Sequence, residues 1–267
     1  MQFILSFPFT VTFNVNKLRH YDKEVVTASI LPDFTFLRKF FITTNIIIDV
    51  SNISKFEMDY FEGDDSHFSK SLGYNVLVRL NLWRSKKYRN KIKTHSTFHK
   101  TLLDIGCGYG HFLDILKDDF TIHGMDISNY AIKVASKRVD CEHKQGNLEN
   151  LIPFNMNFDI ITAISVVEHL KNPKKALENI HAQLNDGGLF CLEIPTVSNK
   201  ISKIVYDLFF ASDKTHIFIK SVDEIEALIC SCGFKKLAIY CSLFPIFTQL
   251  RNWVKNFSFV FGVFEKI

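Results

Sequence analysis

Between Thr101 and Glu193 the chain alternates short apolar runs with stretches of helical periodicity. That alternation predicts βαβ units on a parallel sheet and constrains the fold more than any other feature. Thr101–Ile105 reads as a strand, 106–110 as a turn, and His111–Lys117 as the start of a helix with Phe112, Leu113 and Leu116 inward. Thr121–Met125 is the next strand, ending at Asp126, and Ser128 or Asn129 can cap a helix carrying Ala131, Ile132 and Ala135. Glu142–Gln145 is a short strand, and the apolar run Phe158–Ile164 is expected to be central in the sheet.

Asn172-Pro173 opens a further helix, with Ala176, Leu177, Ile180 and Leu184 as its buried stripe. A turn at Asp186–Gly188 precedes a strand over Leu189–Ile194, stopped by Pro195. Farther on, Ser221 and Glu224 form a capping box ahead of Ile225, Leu228 and Ile229, with Gly233 as the stop. Strands are expected over 235–240 and 257–264.

With 47% hydrophobic and 22% charged residues, the 267-residue chain has the apolar content to fold as one sizeable domain with additions. It contains no run of about 18 apolar residues. The opening segment lacks a basic stretch and is broken by Pro8, so no secretory signal is read there. Cys107, Cys141, Cys191, Cys230, Cys232 and Cys241 form no C-x-x-C pair and no metal-ligand spacing, so no metal site is expected and reduced thiols in a cytoplasmic protein fit best.

The net charge of +4 does not demand a nucleic-acid or membrane partner. Most of the excess lies in Arg84–Lys93, after Leu72, Val76, Leu80 and Trp83 at helical spacing. This run reads either as a solvated helix end entering a linker or as a contact for anionic lipid or RNA. Residues 1–57 differ from the rest: Phe3, Leu5, Phe7, Phe9, Val11, Phe13 and Val15 alternate with mostly polar neighbours. They form either an appended ribbon or a stretch preceding a true start near Met58.

Gly106-Cys-Gly108-Tyr-Gly110 lies between a strand and a helix, where absent Cβ atoms let backbone N–H groups approach a ligand. Asp126 follows at the end of the next strand, where a carboxylate can accept from both ribose hydroxyls. Together they point to an adenosine-type ligand. The pattern is G-x-G-x-G, with His111 where a dinucleotide site needs a small residue, which argues against a nicotinamide enzyme.

These segments, with Phe158–Leu170 and Leu184–Leu189, make the chain resemble the class I S-adenosylmethionine-dependent methyltransferases, in the branch of the ubiquinone-biosynthesis O-methyltransferases. The resemblance covers residues 100–195 well and 215–240 loosely. It implies a doubly wound, Rossmann-like α/β domain over 101–267, with a seven-stranded mostly parallel sheet whose last strand is antiparallel. Residues 58–100 are then expected to form a helical cap with Tyr60, Phe61 and Tyr74 as wall residues.

The resemblance also implies roles. Gly106, Gly108 and Gly110 would lie under the methionine and ribose of the cofactor, and Asp104 would hold its amino group. Asp126 would take the ribose diol, Ile127 would pack on the adenine, and Asn147 and Leu148 would border its edge. Ser165 and Val166 would line the sulfonium side.

Methyl transfer is a displacement that needs alignment and exclusion of water, with a base useful for a hydroxyl nucleophile. His169 and His216 are the candidates for that base. Residues 197–212 mix apolar residues with lysines and read as an insertion packing on the core, or as a lid or surface-seeking helix for a lipid-like acceptor. The expected activity is methyl transfer from S-adenosylmethionine to a small-molecule, lipid-linked or glycan-linked hydroxyl, with peripheral membrane contact compatible with it. The alternatives are a noncatalytic cofactor-binding module or an RNA-directed methyltransferase; Ala163–His169 lacks the Asn/Asp-Pro-Pro-aromatic motif of amino-directed nucleic-acid methylases. The oligomeric state is left open by the sequence.

Overall fold

Strand period 2 requires neighbouring residues to face opposite sides of a sheet, and Leu102/Leu103, Ile160/Ile161 and Val260/Phe261 do so, each pair dividing between two buried clusters. A computed structural model describes residues 2–6, 10–14, 74–96, 98, 100–210, 213, 215–242, 250–251 and 258–267. The chain divides into two compact units, residues 1–36 and 37–267. In the first, β1 (Gln2–Ser6) pairs antiparallel with β2 (Thr10–Asn14), Phe3 opposite Phe13 and Leu5 opposite Val11. Met58, Tyr60 and Phe61 lie outside the described residues, as does the side chain of Tyr74.

The second unit runs α1 (Tyr74–His95), β3 (Thr101–Ile105), α2 (His111–Leu116), β4 (Thr121–Asp126), α3 (Asn129–Arg138), β5 (Glu142–Gln145) and β6 (Phe158–Ile164). It continues as α4 (Pro173–Gln183), β7 (Leu184–Pro195), α5 (Lys200–Phe209), α6 (Val222–Ser231), β8 (Phe234–Ser242), β9 (Leu250–Arg251) and β10 (Phe259–Lys266). The sheet order is β5-β4-β3-β6-β7-β10-β8-β9. The first five strands are parallel, and β10 inserts antiparallel between β7 and β8. The expected seven-stranded, mostly parallel, doubly wound sheet is present; the two-residue β9 adds an eighth strand at the edge.

The chain leaves β3 outward through β4 and β5, then returns to the other side of β3 as β6. At such a reversal the connections diverge and open a crevice beyond the C-terminal strand ends. One core cluster packs α4 and α6, through Leu177, Ile180, Ile225 and Ile229, on one face of the sheet. The other packs Tyr88 and Ile92 of α1, Leu113 and Leu116 of α2, and Ala135 of α3 on the opposite face.

Two expectations are adjusted. Leu184 is buried, but it opens β7 instead of closing the helical stripe. The turn at Asp186–Gly188 lies within β7: the register moves from Phe158↔Leu184 to Ile160↔Leu189, the extra residues bulging with Gly187 at φ 69°.

Part of the basic run is engaged by the fold, although Lys86, Lys87 and Lys93 are exposed. Arg84 pairs with Glu193, Arg89 and Lys93 with Asp119, and the Lys91 ammonium lies 3.1 Å from the ring centre of Tyr240. Tyr88 stacks on Phe261 with centroids 4.3 Å apart. The run is thus neither a linker nor a uniformly solvated helix end, because every fourth residue from Arg84 through Tyr88 to Ile92 turns to the sheet. Helix α5 is likewise two-sided: Ser202 and Val205 are buried, and Ser258 Oγ donates to the Ser202 carbonyl, while Ile201 and Ile204 are exposed. Among the described residues no helix is long and apolar enough to cross a membrane.

If α1 belongs to this core, Ile92→Ala will destabilise the protein by about 2–5 kcal/mol in equilibrium urea unfolding. A loss below about 1 kcal/mol would show that the helix is not packed as described.

Candidate functional site

The crevice is built first from backbone. The N–H groups of Gly106 and Cys107 both donate to the Met125 carbonyl, at 2.7 and 3.1 Å, tying the turn after β3 to the end of β4. Gly106 has φ 69°, and a Cβ there would stand 2.3 Å from Cγ2 of Val166. Only glycine lets the turn meet the segment after β6 so closely. Gly108 and Gly110 also have positive φ, 51° and 74°, and a Cβ on Gly110 would press on Ala135 of α3 at 3.3 Å.

Asp126 closes this cradle. Its Oδ2 accepts from Gly108 N and its Oδ1 from Ser128 N, both at 2.9 Å, and Ser128 Oγ in turn accepts from Ala131 N to cap α3. Each carboxylate oxygen has a second lone-pair direction, so a diol can still be bound. Ile127 beside it is half-buried, its carbonyl accepting from Gln145 Nε2. Asn147 folds back to accept from Glu149 N through its side-chain oxygen, while Leu148 is buried in the core with its carbonyl held by Asn179. These two shape the turn after β5 more than they present side-chain polar atoms.

Asp104, at 3% exposure, accepts from Thr162 Oγ1 at 2.6 Å. Burial pushes its pKa up to about 7, with Asp126 adding to the rise and the Thr162 hydrogen bond opposing it. The carboxyl is therefore only partly ionised near neutral pH.

Ser165 is the one non-glycine residue of positive φ among those described, at 55°. Its N–H donates to the Glu193 carbonyl at 3.0 Å and its Oγ to Glu193 Oε2 at 2.7 Å. Glu193 is fully buried and faces Arg84 Nη1 at 3.4 Å. Neither Glu193 nor Arg84 was singled out as a site residue from the sequence; a lone acid inside the apolar run Leu189–Ile194 was the available signal.

The two candidate bases meet. His169 ends a 3₁₀ turn (Val167–His169) after β6, and its ring centre lies 4.9 Å from that of His216. The Glu168 carbonyl accepts from Ile217 N and Phe218 N, both at 2.9 Å, which clamps the loop before α6 onto this turn. His169 Nδ1 lies 2.9 Å from Thr215 Oγ1 and 3.2 Å from the Thr215 carbonyl. His216 has Tyr206 Oη 3.1 Å from Nδ1 and Asp213 Oδ2 3.5 Å from Nε2. Burial holds His169 below the usual imidazole range, against Asp213 and the Thr215 hydrogen bond.

Glu168, His169 and His216 each offer an atom within 4.8 Å of the others, the one such set among the described residues. A cation there would have to displace Tyr206 or Asp213 from His216. Tyr206, Thr215 and Asp213 were not singled out as site residues in the sequence, because what recruits them is the loop clamp.

Comparison with known proteins follows the same lines. The methyltransferase domain family matches residues 80–239. A ubiquinone biosynthesis O-methyltransferase of Actinobacillus pleuropneumoniae is 25% identical over 196 residues, 67% of this chain and 83% of that protein. One from Glaesserella parasuis is 28% identical over 51% of this chain and 64% of its own length, and one from Coxiella burnetii 28% over 49% and 57%. The chain thus spans less than two thirds of the latter two. A solved S-adenosylmethionine-dependent methyltransferase from Thermotoga maritima superposes with TM-score 0.60 at 19% identity, covering 73% of this chain and 93% of that one. An S-adenosylmethionine-bound amino pentose methyltransferase from Micromonospora echinaspora gives TM-score 0.51 at 13% identity over 73% and 96%. These structures share the fold.

Because Asp104 holds its proton to about pH 7 in the folded chain and ionises near 4 when unfolded, the native state binds the extra proton between those values. Its contribution to stability therefore declines as pH rises from about 4 to about 7 and is constant above. Urea unfolding of Asp104→Asn across this window should show a shallower decline than the parent chain; parallel profiles would refute the assignment.

Proposed function

Since the chain belongs to the methyltransferase domain family and is an S-adenosylmethionine-dependent methyltransferase, we propose that it methylates a hydroxyl oxygen of a small or lipid-linked acceptor, using the paired imidazoles beyond β6 to take the proton. The observation that carries this reading is that His216 meets His169, which stands three residues past Val166, the residue that approaches the glycine cradle. The names of the curated relatives, O-methyltransferases of ubiquinone biosynthesis, support oxygen as the accepting atom.

The cradle fits the chemistry of the cofactor: three glycines of positive φ, an adjoining buried carboxyl and a carboxylate held by two backbone N–H groups supply the close backbone approach and polarity that an amino acid joined to a ribose needs. When bound, S-adenosylmethionine supplies an electrophilic methyl on a sulfonium. Asp126 accepts from the ribose hydroxyls, and Asp104 faces the ammonium, whose charge favours the ionised carboxylate. Ser165 and Val166 line the reacting side, Ser165 held in its strained conformation by Glu193. An attacking hydroxyl gains nucleophilicity as its proton passes to an imidazole, a contribution of about 10²–10⁴-fold.

Helix α5 lies on the acceptor side, because Tyr206 reaches His216 from it. Its outer face carries Ile201 and Ile204, 61% and 52% exposed, beside Lys200 and Lys203. An apolar, lysine-flanked face of this kind suits a lipid-linked acceptor at an anionic membrane surface.

Calorimetric titration with S-adenosylmethionine, S-adenosylhomocysteine and NAD is expected to show binding of the first two only, weakened about 10-fold or more in Asp126→Ala. A folded chain that binds neither adenosyl-sulfur ligand would sink the cofactor assignment. Mass analysis after incubation with a panel of phenols and amines should reveal methyl ethers; methylation confined to nitrogen would overturn the hydroxyl reading.

A further inference from the structure

Helix α1 meets the sheet through two residues one turn apart, and they land on two residues that face each other across neighbouring strands. Glu193 of β7 stands opposite Phe261 of β10. Tyr88 stacks on Phe261, and Arg84, four positions earlier on the same helix face, brings Nη1 to 3.4 Å from Glu193 Oε1. The Arg84 guanidinium lies 6.0 Å from the centre of the Tyr88 ring. The aromatic stack thus fixes where the helix places its cation.

The Glu193 side chain is fully buried, and its two oxygens are divided: Oε1 faces Arg84 and Oε2 accepts from Ser165 Oγ at 2.7 Å. Removing Arg84 leaves that carboxylate in the interior without its ion pair, so the group must shed its charge or turn away. In either case Ser165 loses a fixed, charged acceptor.

Ser165 is exposed at the end of β6 and has φ 55°. Its N–H donates to the Glu193 carbonyl at 3.0 Å, which holds the nitrogen but leaves rotation about the N–Cα bond free. The hydroxyl bond to the same glutamate's side chain stops that rotation from the other side of the bond. Two bonds from one serine to one glutamate thereby hold a left-handed conformation that a Cβ disfavours. The next residue, Val166, makes the close approach to Gly106.

We propose that Arg84 is a positioning residue for the cofactor site: from helix α1 it holds the Glu193 carboxylate, and through it the left-handed turn at Ser165 beside the glycine cradle. This rests on the placement of Ser165 at the reacting side of S-adenosylmethionine proposed above; the ordering of Ser165 is a property of the chain itself.

Ser165→Gly separates this role from plain packing of α1, because glycine adopts positive φ without the hydroxyl bond. The readouts, on the full-length chain, are calorimetric titration with S-adenosylhomocysteine and amide hydrogen exchange at residue 165 followed by NMR. Arg84→Met should weaken binding about 10-fold and speed exchange of the Ser165 N–H about 10-fold or more. Arg84→Lys, which keeps a cation on a long stem, should recover most of both. In the Ser165→Gly background the same Arg84→Met change should alter affinity less than about 3-fold. Equal losses in the two backgrounds would show that Arg84 serves only the packing of α1 and would overturn the proposal, as would unchanged affinity and exchange in Arg84→Met. Should Arg84→Met not fold, Glu193→Gln, which keeps the side-chain shape and drops the ion pair, gives the same comparison: its loss must also vanish with Ser165→Gly, and a loss that persists overturns the proposal. A parent chain that binds no S-adenosylhomocysteine, but whose exchange at Ser165 depends on Arg84, would count against the cofactor placement and leave the ordering by Arg84 standing.

Discussion

The missing side chain at Gly106 is the constraint from which the rest of the site follows. A Cβ there would sit 2.3 Å from Cγ2 of Val166, so any other residue would press on the Val166 side chain at the end where the crevice opens. That closeness lets the turn after β3 share the Met125 carbonyl with β4 and leaves the Gly108 N–H to fix Asp126. It also sets where Val166 stands, and with it the short turn that carries Glu168 and His169. The glycine turn and the turn that carries His169 therefore meet through one contact.

Beneath that contact lies a buried charge cluster. Arg84 is the guanidinium among Glu193, Glu168 and Tyr88, and all three neighbours favour its charged form against the cost of burial. One cation cannot compensate two carboxylates in a low-dielectric interior. Glu193 takes the ion pair and the Ser165 hydroxyl, while burial, and then the charge of Glu193, push Glu168 well above the carboxylate range. Glu168 is thus the member whose charged form is disfavoured. Its backbone carbonyl anchors the histidine loop by accepting from Ile217 and Phe218.

Much of the sheet was legible in sequence because its signals are local. The strands at Thr101–Ile105, Glu142–Gln145 and Phe158–Ile164 fall on the expected residues, as does the cap at Ser128, since apolar periodicity, glycine and capping residues act over a few positions. The insertion of β10 between β7 and β8 carries no such signal; it is settled by which edges meet after the chain has closed. The site divides in the same way. Gly106, Asp104 and Asp126 are close in sequence to the strand ends that hold them. Arg84 and Glu193 are 109 positions apart, and the basic run around Arg84 is indistinguishable by composition from a solvated helix end. Only the period that brings Arg84, Tyr88 and Ile92 to one face separates the two cases.

The proposed acceptor half is assembled from three separate pieces: the turn after β6, helix α5, and the loop before α6. Each is tied to a strand end by its own bonds, namely Val166 to Gly106, Ser202 to Ser258, and Ile217 and Phe218 to Glu168. Only the first of these touches the glycine turn, and none uses Asp126. Helix α5 and the loop before α6 are therefore held by bonds separate from those that hold Asp126. In a fold whose chemistry depends mainly on alignment, that separation lets one cofactor site serve many acceptors.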